Sequence, residues 1–123
     1  MALDLEVKNT EDTMRIGYGG YFHIRVEILN TISFRLGDKF KKECLEQRKF
    51  FSDELFDEIT KLKLDKFIFH SDCDGHLCYR DIKKTLKVLE QYNFNKSDWK
   101  DEIYELINLF KIAVKNKSYI YYK

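Results

Sequence analysis

Between positions 70 and 81 the chain reads HSDCDGHLCYRD, a run dense in histidine, cysteine and aspartate around one glycine. With Gly75 at position 6 of a twelve-residue calcium loop, His70 falls at position 1, Asp72 at 3, Asp74 at 5, Leu77 at 8 and Asp81 at 12. Alternate oxygen donors surround a hard cation, and glycine permits the sharp turn between them. His70, Asp72, Asp74 and Asp81 are therefore candidate ligands of a divalent cation in an EF-hand-like loop. Three features depart from that pattern. His70 offers nitrogen where oxygen is wanted, Asp81 is one methylene shorter than the usual bidentate Glu, and no second such loop occurs in the chain.

The same letters support other chemistry. His70, Cys73, His76 and Cys78 are nitrogen and sulfur donors of the kind Zn²⁺ prefers, but their H-x2-C-x2-H-x-C spacing is not that of two separated ligand couples. Calcium and zinc thus both stand as candidate ions. Cys73 as a nucleophile is disfavoured by Asp72 and Asp74, whose charges raise a thiol pKa, and no oxyanion-hole sequence accompanies it. A purely structural reading needs no ligand: aspartates bonding nearby N–H groups and a glycine at positive φ describe a sharp turn.

A second candidate lies at GYGGYFHIR, residues 17–25. Glycines just before a helix leave N–H groups free, so Gly19, Gly20, His23 and Arg25 could hold a phosphate or a nucleotide-like anion. The run matches neither a P-loop nor a dinucleotide fingerprint.

These segments must be positioned by the elements around them. Residues 3–7, LDLEV, alternate apolar and acidic as a half-buried strand does, and MRIGYGG reads as a second strand ending in a glycine turn. From Tyr21 the period changes: Ile24, Ile28 and Ile32 with Leu29 make one helical face, which Gly37 is placed to stop. Residues 39–49 read as a solvated helical or loop segment. Ser52 suits an N-cap, with Leu55, Ile59 and Leu62 on the buried face, and KFIF reads as extended or as the end of that helix. Ile82, Leu86 and Leu89 define another helix. The strongest lies in residues 95–117, capped by Ser97 or Asp98 and striped by Ile103, Ile107, Phe110 and Val114. SYIYYK closes as a strand able to pair with residues 3–7. The expectation is α+β: a mostly helical single domain over residues 1–123, with a small sheet formed by the N- and C-terminal strands.

Composition narrows the class. Ten Phe and eight Tyr supply a core. A formal net charge of +1 gives no field that would draw the whole molecule to nucleic acid or anionic lipid, and no apolar run approaches a membrane span. The start lacks the order of a secretory signal, and three cysteines do not make a disulfide framework, so the expected compartment is the cytoplasm. The absence of Pro and the abundance of Lys, Asn and Ile suggest an AT-rich genome, bacterial or phage. Trp99, Tyr119, Tyr121 and Tyr122 suit half-buried surfaces and could mark a protein interface.

Taken together, GYGGYFHIR, HSDCDGHL and the final FKIAVKNKSYIYY resemble a family of small bacterial and phage-borne proteins. That resemblance implies that residues 70–75 are a family feature but carries over no activity. His76 stands where an acidic or apolar residue is more usual, which counts against zinc ligation there. The resulting expectation is a binding or regulatory module for a partner protein or small anionic ligand. The rival is a metal-dependent hydrolase with His70, Asp72 and Asp74 holding the ion and His76 as base.

Overall fold

The structure is a computed structural model that describes residues 2–47, 49–71 and 74–123. It is α+β, as the periodicities imply. Strands β1 (Ala2–Val7) and β2 (Thr13–Gly17) form an antiparallel hairpin, followed by helices α1 (Tyr18–Ile32), α2 (Phe34–Leu45), α3 (Asp53–Lys61) and the single turn α4 (Asp65–Ile68). Strand β3 (His76–Leu77), helices α5 (Tyr79–Leu89) and α6 (Lys100–Lys115), and strand β4 (Ile120–Tyr122) complete the order. The sheet runs β2-β1-β4-β3.

The terminal strands pair as their composition suggested, with Leu5 opposite Tyr122 and Val7 opposite Ile120. Alternation then decides the faces. Leu3, Leu5, Val7, Met14, Ile16, Ile120 and Tyr122 are buried toward the helices. Asp4, Glu6, Arg15 and Lys123 share the opposite face in two ion pairs, Arg15–Asp4 at 2.8 Å and Lys123–Glu6 at 3.0 Å. Ile103, Ile107 and Phe110 of α6 are buried, with Val114 at the margin. Each such side chain contributes about 1.5–3 kcal/mol of burial before entropy is set against it. Among the described residues no helix is long and apolar enough to cross a membrane.

Several boundaries differ from expectation, each for a local reason. Helix α1 starts at Tyr18, because β2 runs straight into an extended Gly17 at the N-cap; Gly19 and Gly20 lie inside the first turn. Gly37 does not stop a helix. The break falls at extended Ser33, and Gly37 lies inside α2, where a Cβ would collide with Asn30 of α1. Residues 39–45 continue α2 and are not wholly solvated, since Phe40 and Glu43 are buried. KFIF is neither strand nor helix end; most of it forms the separate turn α4. Ser52 caps α3, accepting from the Leu55 N–H at 3.2 Å. Helix α6 instead starts after Trp99, whose side chain makes no cap hydrogen bond. Ser97 accepts from the Trp99 N–H and donates to Glu27 at 2.6 Å, tying the turn before α6 to α1.

Candidate functional site

The loop between α4 and α5 is organised by His70. Its Nδ1 lies 2.7 Å from the Ser71 carbonyl and its Nε2 lies 2.9 Å from the His76 carbonyl, so the ring spans the loop. A neutral imidazole donates to one of these oxygens and a protonated one to both. The ring also packs on Tyr122, centroids 4.0 Å apart. Gly75 takes φ +88°, the conformation its type was expected to supply, and its carbonyl accepts from the Tyr122 N–H at 2.9 Å. Leu77 occupies the position that in a paired calcium loop contacts a second loop; here it pairs with Ile120 of the molecule's own sheet.

Of the four candidate metal ligands, Asp72 lies outside the described residues, as does Cys73. His70, Asp74 and Asp81 are not gathered. His70 faces carbonyls and Tyr122, Asp74 is exposed, and Asp81 on the first turn of α5 accepts from Cys78 Sγ at 3.1 Å. Among the described residues no group of three or more His, Cys, Asp or Glu side chains converges on a common point. A cation at either His70 nitrogen would have to displace one of the two carbonyl contacts.

The glycine-turn residues divide between two faces of α1. Gly20 packs against Ile16 and Trp99, where an added methyl would lie 2.9 Å from Ile16 Cγ1, and His23 stacks on Trp99 at 5.3 Å. Gly19 is open to solvent. Arg25 turns the other way. Its Nη1 donates to the Ile68 carbonyl at 2.8 Å, and its guanidinium lies 4.7 Å from the Tyr21 ring centre and 5.6 Å from that of Phe40. Folding therefore brings Arg25, but not the glycines or His23, to the α4 segment that leads into the loop.

Between Arg25 and His70 lies a buried pair that sequence reasoning missed. The Tyr21 and Tyr122 hydroxyls are 2.8 Å apart, and their rings meet edge to face. Burial, then the Tyr21 neighbour, pushes the Tyr122 phenol well above its usual range, despite the opposing charge of Arg25. Tyr21 was legible as core from its place one turn before Ile24 and two before Ile28. Tyr122, expected in a terminal strand and on a half-buried surface, is instead 3% exposed, because the strand alternation turns it to the helix-covered face.

The surface that stands out is aromatic. Phe40 of α2 is fully buried and forms its floor. Phe51 stacks on Phe40 at 5.7 Å and meets Phe69 at 4.8 Å, and Phe56 of α3 stacks on Phe69 at 5.4 Å. Glu43 of α2 holds the segment between α2 and α3, accepting from both the N–H and the hydroxyl of Ser52 at 2.7 Å. Phe50 is 75% exposed and Phe56 48%. With Lys49, Phe51, Asp53 and Phe69 they line an open recess of about 400 Å³. The signal lay in the FF pair at 50–51 and in Phe56, off the Leu55–Ile59 face of α3.

With this geometry established, the chain was compared with models of known families, with curated proteins and with solved structures; none of the three comparisons found a match.

Proposed function

We propose that the protein is a cytoplasmic binding module, of bacterial or phage origin, that takes an apolar segment of a partner protein on the Phe50–Phe51–Phe56–Phe69 surface. The observation that supports this is the exposure of Phe50 and Phe56 around a recess that half-buried Phe51 and Phe69 also line. Exposed single apolar residues are ordinary, but contiguous aromatic ones around a concavity are how small domains offer an anchor site. Phe51 is held by stacking on buried Phe40 and by its contact with Phe69, so little of its side-chain freedom is lost when a partner binds. A branched aliphatic or aromatic anchor suits this recess better than a charged one. Cys44 and Cys78 are free thiols, in keeping with a reducing compartment.

The test is a photo-crosslinking residue placed at position 56 and, as a control, at exposed Asn108 of α6. One discrete adduct from position 56, absent from position 108 and lost in Phe50→Ser, is expected. The same adducts from both positions would refute the reading, and an adduct of twice the chain mass would replace the partner with a second copy of this chain.

A further inference from the structure

The charges are balanced along the chain but not over its surface. Lys63, Lys66, Lys83, Lys84 and Lys87 come from three places: the turn after α3, the short α4, and one side of α5. They line two adjoining recesses of about 300 and 320 Å³ that share Lys63 and Lys84. Asp65 and Asp81 are the acids in these walls. All five lysines are exposed, and none makes an ion pair among the described residues. Lys83 and Lys87 are i,i+4 neighbours, and Lys84 and Lys87 are i,i+3, so like charges face each other on the helix and destabilise it.

Lys63 sharpens the point. Its φ is +64°, and its N–H bonds to the Thr60 carbonyl while that of Leu64 bonds to Ile59, the helix-ending arrangement in which glycine is favoured. A lysine there holds its charge beside the recesses against local backbone preference.

We propose that these lysines bind a ligand carrying two or more linked phosphoryl groups, successive groups occupying the two recesses. Ammonium groups bind phosphate as point charges without demanding a fixed fork geometry, and an anion between them relieves their mutual repulsion. The same chemistry is found in a free polyphosphate and in a nucleic-acid backbone, so the experiment carries both. This site is independent of the aromatic surface.

The molecule supplies its own control. Lys117 ends α6 in the same arrangement, φ +50° with matching bonds to Val114 and Ala113, and lines neither recess. Lys63→Gly and Lys117→Gly remove the same charge from the same backbone setting, and both should melt at or above wild type, because glycine suits positive φ. Binding of inorganic tripolyphosphate is measured by calorimetry and of a short labelled duplex by anisotropy, both at about 50 mM salt rising to about 200 mM. Lys63→Gly should weaken binding about fivefold and reduce the salt slope by roughly one, while Lys117→Gly changes affinity by less than about twofold. Lys84→Gln with Lys87→Gln should weaken it further and serves if Lys63→Gly fails to fold. Tripolyphosphate binding assigns a free polyphosphate, and duplex binding alone assigns the backbone. Equal effects of Lys63→Gly and Lys117→Gly, or no binding in either arm, would overturn the proposal.

Discussion

In the loop after α4, His70 has both ring nitrogens against carbonyls and its ring face on Tyr122, and the Gly75 carbonyl is held by β4. Twenty residues upstream, Phe50 stands 75% exposed beside an open recess that no side chain among the described residues fills. The first region is rich in chemistry-bearing letters and spends many of them on its own shape. The second is mostly phenylalanine, with Lys49 and Asp53 at its rim, and leaves apolar surface in water. Density of reactive residue types and availability for a partner are thus separate properties, and the second depends on what the fold has already satisfied.

The largest test of this contrast lies beneath the aromatic surface. Phe40→Ala, which empties a fully buried site against Phe22 and Phe51, should lose about 3–5 kcal/mol in chemical denaturation. A loss under about 1 kcal/mol would mean that the ring beneath Phe51 and Phe69 is not core.

Alkaline titration probes the buried pair behind the loop. Tyr122 holds its proton more tightly folded than unfolded, chiefly through burial. Its contribution is therefore complete below the unfolded phenol range, near pH 10, and is lost as pH rises above it, at about 1.4 kcal/mol per pH unit for one proton. Cys44, raised mainly by burial, adds a slope of the same sign from lower pH, so the comparison is made in Cys44→Ala. In that background Tyr122→Phe should flatten the dependence above pH 10; an unchanged slope would place the retained proton elsewhere.

At the loop itself, His70→Ala should cost about 1 kcal/mol through the lost carbonyl bridge, and Gly75→Ala a similar amount through its positive φ. The same preparation decides the metal question. Ca²⁺, Zn²⁺ or Mn²⁺ that raises the melting temperature of wild type but not of His70→Ala would show an ion replacing the bridge; equal melting with each ion and with EDTA would leave the loop a turn.

The smallest effect completes the contrast. Phe50→Ser should change stability by less than about 0.5 kcal/mol, since the ring is mostly in water, while removing the crosslinked adduct. A large loss of stability would make Phe50 a structural residue after all.

Much of the fold was written locally. Alternation over residues 3–7, the Ser52 cap and the α6 stripe need only neighbouring residues and the two backbone periods, whereas the pairing of the terminal strands joins the two ends of the chain and was suggested by their matching β-favouring composition. The errors were also local in kind. Gly37 looks like a helix stop until Asn30 of another helix is set against it, and Ser97 looks like a cap until Glu27 takes its hydroxyl.

By itself, then, the sequence determined the two β-strands at the N-terminus, the strand at the C-terminus, the strongly periodic helices, the α+β class and the glycine-dependent turn at residue 75, because propensity, periodicity and positive φ act within a few residues. Tertiary structure alone decided which groups remain free. His70 meets Tyr122 from the far end of the chain, Arg25 is drawn to Ile68, and lysines from three separate segments gather in one place. Burial and charge depend on distance through space, and no spacing along the chain encodes that distance once the intervening helices pack.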